Sequence, residues 1–137
     1  MNLSSISKIM LIVVLLVVPV CAYSADSVPK RVKAESVKSY KVSELYSQKS
    51  KLDNQRVRAK GKVVKVTFGI MNKNWIHLQD GSGDRSKKNN DLTVTTTQEL
   101  PNVGDVVVVE GVMRKDKNFG GGYFYEVIIE EATVNPK

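Results

Sequence analysis

From Arg56 onward, apolar and polar residues alternate with a period of two, the pattern of strands that bury one face. Val57, Ala59, Gly61 and Val63 alternate with Arg58, Lys60 and Lys62. The pattern then slips by one residue, so that Val64, Val66 and Phe68 become the apolar set against Lys65 and Thr67. A slip after Gly61 predicts a β-bulge inside one long, bent strand, Arg56 to Phe68. A second strand is predicted from Asn74 to Asp80. Ile76 and Leu78 face inward there, which puts Trp75, His77 and Gln79 together on an exposed opposite face.

Asp-Gly-Ser-Gly at Asp80–Gly83 ends that strand in a tight turn, and a polar loop runs from Gly81 to Asn90. The third strand is Asp91 to Thr96, with Leu92 and Val94 inward and Thr93 and Thr95 beside Trp75 and His77. Pro101–Asp105 is a turn. A fourth strand, Asp105 to Arg114, sets Val107, Val109, Gly111 and Met113 on one face, with Glu110 and Arg114 on the other. A Gly-rich loop, Lys115 to Gly122, leads to the fifth strand, Tyr123 to Val134. Ahead of all these, Val42–Tyr46 opens a short helix. Ser43 is its expected cap and Glu44 suits its positive end. Five strands and one preceding helix predict an all-β fold closed into a small barrel.

The N-terminus changes the picture of where this fold resides. Lys8 is the only charge before Asp26, and Ile9 to Val20 is apolar, broken only by Pro19. That block is shorter than the ~20 residues of a membrane span and has the length of a signal-peptide core. Ala22-Tyr23-Ser24 fits small-x-small processing, so residues 1–25 are read as a signal peptide cleaved after Ser24. An uncleaved anchor and lipidation at Cys21 are the alternatives. Residues 26–39 form a polar, flexible lead-in and residues 40–134 the folded domain. The expected location is periplasmic or secreted.

Cys21 is the only cysteine, and its removal with the signal leaves no disulfide, thiolate metal site or thiol nucleophile. One histidine, no Gly-x-Ser-x-Gly, no Walker loop, no dinucleotide fingerprint and no haem-attachment sequence leave an enzyme without parts. The expectation is a non-enzyme with no catalytic residues, no cofactor and no metal. Asp80, Asp84 and Asp91 lack the spacing of a calcium loop. Met71 with His77 supplies only two ligands for copper.

Three stretches carry a resemblance: Arg58-Ala59-Lys60-Gly61-Lys62-Val63-Val64-Lys65-Val66, Asn74–Gly83, and Val103-Gly104-Asp105-Val106-Val107-Val108-Val109-Glu110-Gly111. They resemble the nucleic-acid-binding OB domain of the tRNA-anticodon-binding type. With its export signal, the chain looks most like small secreted bacterial OB-fold proteins. The resemblance implies a five-stranded OB-type Greek-key barrel with a short helix before strand 1. Many OB-folds instead place their helix between strands 3 and 4. It also implies two partner classes: nucleic acid, or a periplasmic multihaem cytochrome system on which the protein docks as an accessory.

The formal charge is +7, and +6 without residues 1–25, which favours anionic partners. The expected ligand-binding residues are Trp75, His77, Thr93 and Thr95 on the strand 2–3 face, with Lys60 and Lys62 from the basic row of Arg58, Lys60, Lys62 and Lys65 along strand 1. Phe119 and Tyr123 add contacts from the last hairpin loop. The function read from these residues is an exported, non-enzymatic OB-fold binding module for an anionic ligand or an envelope protein. Nucleic acid is suggested by the fold and disfavoured by the compartment.

Overall fold

The structure is a computed structural model that describes residues 36–137. The predicted signal peptide, Cys21 within it, and the lead-in as far as residue 35 lie outside the described residues. Six strands and two short helices follow in order: β1 (Ser39–Tyr40), α1 (Val42–Ser47), α2 (Lys49–Leu52), β2 (Arg56–Ile70), β3 (Lys73–Gln79), β4 (Leu92–Thr96), β5 (Val106–Asn118) and β6 (Phe124–Pro136). The strand count exceeds the expected five because Ser39 and Tyr40, at the edge of the expected lead-in, pair in parallel with Arg58 and Ala59.

Hydrogen bonding runs β2–β3–β4–β6–β5 and returns from β5 to β2, a closed ring of strands. All neighbours in the ring are antiparallel except β4 and β6, which meet in parallel at Thr93–Ile128 and Val94–Ile129. Each ring strand therefore has a hydrogen-bonded neighbour on each side over part of its length.

The ring closes because β2 serves two neighbours. Residues 56–62 pair with β5, and residues 62–70 pair with β3. The change of partner coincides with an irregularity between Val63 and Lys65, where the sequence slips. Val64 is the extra residue and points out, so the apolar set after the slip differs from expectation. Val66 packs against the core, whereas Phe68 is 79% exposed. Phe68 lies close to the end of β2, beyond the side chains that would cover it.

One apolar cluster fills the interior. It joins Val57, Ala59 and Val63 of β2, Ile76 and Leu78 of β3, and Leu92 and Val94 of β4. Val107, Val109 and Met113 of β5 and Val127, Ile129 and Ala132 of β6 complete it, with Val42, Leu45 and Leu52 from the helices. Gly111 is required where β5 crosses β6. A Cβ there would stand 2.6 Å from the Glu130 carbonyl oxygen, and the register shifts between Glu110 and Val112 at this point.

The helix is capped differently from expectation. Ser43 lies inside α1, and Lys41 is the residue at its N-cap position. A lysine side chain has no acceptor to offer. The acceptors come from the Asp80–Gly83 turn instead: Val42 N–H donates to Asp80 Oδ2 at 2.9 Å and Ser43 N–H to Ser82 Oγ at 3.0 Å. The Glu44 carboxylate accepts from Lys41 N–H at 2.8 Å, which agrees with its expected place at the positive end.

The last hairpin is longer than its sequence suggests. Lys115, Lys117 and Asn118 pair with Val127, Tyr125 and Phe124, so the first half of the expected loop is strand. Only Phe119–Tyr123 turns, through three consecutive left-handed glycines, Gly120, Gly121 and Gly122.

Candidate functional site: a cleft beside Trp75

The bulge at Val64 places Lys65 and Thr67 on the outer face of β2, and Trp75 and His77 lie opposite them on β3. Lys65 pairs across the strands with His77, and Thr67 with Trp75. On the other side, Trp75 pairs with Thr95 and His77 with Thr93. Parity thus puts these side chains on the expected face.

Trp75 is nonetheless 4% exposed, which overturns the expectation of an open aromatic. The β5–β6 hairpin covers it. Phe119 meets its ring edge-on with centroids 5.4 Å apart, and Tyr125 lies over it at 5.6 Å. The indole Nε1–H donates to the Ile70 carbonyl oxygen at 2.8 Å. Tyr125 shares the sequence parity of the core residues Val127 and Ile129, so its position on the outer aromatic cluster was not expected. Asp116, in the segment of β5 that faces this part of β6, has a left-handed backbone (φ 49°).

Phe119 has a second set of neighbours. The Lys73 and Lys117 ammoniums stand 5.7 and 5.2 Å from its ring centre. Both also approach the buried carboxylate of Glu130, at 3.4 and 3.5 Å, and Arg114 Nε lies 3.6 Å from it. The Phe119 ring is held between charges that Glu130 anchors. Thr93 and Thr95 are buried, so neither expected ligand residue presents open surface. Among the described residues Thr95 Oγ1 has no hydrogen-bond partner.

His77 is half-buried and fixed in orientation. Its Nδ1 lies 2.6 Å from Asp91 Oδ1. A carboxylate only accepts, so the Nδ1 proton points at Asp91, and among the described residues Nε2 makes no side-chain hydrogen bond. Gln79 donates to the other Asp91 oxygen at 3.1 Å, and the Tyr46 hydroxyl donates to the Asp91 carbonyl at 2.7 Å. Burial pushes the Asp91 carboxyl up. The hydrogen bonds from His77 and Gln79, with the charges of His77 and Lys65, outweigh it and hold the group below the usual carboxylate value. Tyr46 is pushed up to about 12, by burial first and then by the nearby Asp91 and Glu126 charges, and is neutral at ordinary pH.

A cleft of ≈ 210 Å³ opens at this place, lined by Lys65, Thr67, Ile70, Trp75, His77, Tyr123 and Tyr125. It gathers three of the expected ligand residues, Trp75, His77 and Tyr123. Phe119 stands behind it as the support of Trp75. Lys60 and Lys62 lie elsewhere, in a larger groove of ≈ 590 Å³ with Val64, Gln79, Asp80 and Val106. That groove is lined by no aromatic residue, and the adjacent Lys137 side chain holds the Lys60 amine below its usual value. Farther along the basic row, Arg58 is already paired with Glu110 at 2.9 Å.

Sequence reasoning missed Asp91 as the partner that orients His77, and Ile70 and Tyr125 as walls. The available signal was the slip at Val64, which carries Lys65 and Thr67 to the strand 2 face. No family model matches the chain, and no curated protein matches it.

Proposed function

We propose that the protein is an exported, non-enzymatic binding module of the OB type, and that its ligand occupies the cleft of Lys65, His77, Tyr123 and Tyr125. The barrel reading is supported by the ring order, its single parallel closure between β4 and β6, and the bent β2 shared by two neighbours. Small OB barrels bind on the face where this cleft lies. No helix among the described residues is long and apolar enough to cross a membrane.

One observation carries the binding reading. An imidazole oriented by Asp91 and a lysine lie side by side at a concave site with aromatic walls. Pockets with apolar walls and a few placed polar groups are the usual form of ligand sites. A nucleic-acid role is less well supported, because the buried Trp75 offers no open platform for a base.

A second reading has its own observation. The two hairpin tips at the cleft mouth carry Met71 and Phe68 on one side and Phe124 on the other, all exposed. These apolar tips suit a protein partner such as an envelope redox enzyme.

Trp75 is the only tryptophan, so its fluorescence reports on the cleft directly. The test titrates the chain lacking residues 1–25 with small organic acids and with an oligonucleotide, for wild type, His77→Gln and Tyr123→Ala. Saturable binding of an acid that both substitutions weaken supports the cleft. Binding only of the oligonucleotide, with steep salt dependence and no effect of either substitution, contradicts it.

A further inference from the structure

We infer that the cleft, on the reading above that it is the binding site, takes a single ring bearing one carboxylate, held between Lys65 and His77 with its ring against Tyr123 and Tyr125. The size sets the first limit. Drug-sized ligands occupy pockets of about 300–1,000 Å³. At ≈ 210 Å³ this cleft holds one substituted ring, and a larger ligand would have to project from its mouth.

The distribution of chemistry sets the second. Lys65 and His77 are direct cross-strand neighbours, and both line the cleft. Thr67 adds a hydroxyl on the same strand as Lys65. Ile70, Tyr123 and Tyr125 supply flat, largely apolar walls. A ligand matching this lining has a polar end and a flat body.

Charge sets the third. Among the described residues Lys65 has no carboxylate within 4.0 Å, as is also true of Lys60 and Lys62, but of these three Lys65 alone shares its cleft with an imidazole and tyrosines. His77 is held by Asp91 through Nδ1, which turns Nε2 away from Asp91 and leaves it for a polar group of the ligand. A ligand carboxylate takes a charge-assisted hydrogen bond from the Lys65 ammonium.

The ring has two sources with the same chemistry, an aromatic acid and a sugar acid. Both present a flat face to tyrosine and a carboxylate to lysine. Calorimetry on the chain lacking residues 1–25 separates them, using benzoate against benzamide and galacturonate against galactose. For the matching ring, the acid is expected to bind about tenfold tighter than its neutral counterpart, the size of one charge-assisted hydrogen bond. Lys65→Ala, a change at an exposed position, is expected to remove that gap. Whichever acid shows the gap names the ring.

Equal affinity of acid and neutral compound in the wild type, both weakened by Tyr123→Ala, overturns the carboxylate and leaves the cleft as the site. Failure of all four compounds, while some other ligand responds to His77→Gln and Tyr123→Ala, has the same meaning. Acid binding that ignores Lys65→Ala and Tyr123→Ala but is lost in Lys60→Ala overturns both the ligand class and the cleft.

Discussion

The Asp80 carboxylate accepts the backbone N–H of Val42 at 2.9 Å, across 38 residues of chain. A turn that ends one strand thus starts the helix that plugs the core with Val42 and Leu45. Burial raises the Asp80 carboxyl, but the Ser82 hydroxyl and the Val42 and Ser82 amides bring it below its ordinary value. A depressed carboxyl stabilises the fold above the unfolded value, about 3.9, and loses that contribution as pH falls through the lower folded value. Asp80→Ala should cost roughly 0.5–2 kcal/mol near neutral pH, as for other lost helix caps. Urea midpoints taken from pH 6 down to 2 should show the variant with a flatter acid limb than the wild type.

Tyr46 connects the same helix to the site. Its hydroxyl donates to the Asp91 main chain, and the Asp91 side chain holds His77. The Tyr46 group is raised to about 12, so its contribution is complete below the unfolded value near pH 10 and is lost as pH rises toward 12. Tyr46→Phe should cost about 1 kcal/mol at neutral pH, the worth of one hydrogen bond. It should also reduce the alkaline loss of stability, measured by denaturation between pH 8 and 12.

Phe119 keeps Trp75 out of water. Phe119→Ala removes the edge-to-face pair and the group that Lys73 and Lys117 flank. The pair is worth about 0.5–1.5 kcal/mol beyond its buried area. The expected outcome is a red-shifted Trp75 emission and greater quenching by acrylamide, with the strand content in circular dichroism unchanged.

Gly111 is where β5 and β6 approach most closely. Gly111→Ala forces a methyl group toward the Glu130 carbonyl at 2.6 Å and Ile129 Cγ2 at 2.7 Å. Backbone and a core side chain must both shift, at a cost of about 1–3 kcal/mol. Gly104→Ala is the contrast, with left-handed backbone but no atom near its Cβ position. A lower urea midpoint for Gly111→Ala than for Gly104→Ala is expected.

Much of this was legible in the sequence for reasons that are local. Period-two alternation placed Ile76, Leu78, Leu92 and Val94 in the core, and all four are fully buried. The one-residue slip after Gly61 announced a bulge, because parity cannot change without an extra residue, and the structure puts it at Val64, which the pattern had turned inward. What escaped depends on contacts between distant segments. Parity states which face Trp75 occupies but not what lies on that face, and Phe119 and Tyr125 arrive from nearly fifty residues away. The same limit hid the Asp91–His77 pair and gave the helix cap to Ser43 in place of Asp80. Lys60 and Lys62 read as part of one basic row with Lys65, but the bulge sends Lys65 to a different cleft.

The central claim is that ligand binds at the cleft between β2, β3 and the β5–β6 hairpin. Amide chemical-shift mapping on the isotopically labelled chain, with the acid that shows the largest response to Tyr123→Ala, tests it most directly. The expected shifts are concentrated at residues 65–67, 75–77 and 123–125, and are lost in the Lys65→Ala variant. Shifts centred on residues 60–62 and 79–81, around the Lys60–Lys62 groove, would contradict it.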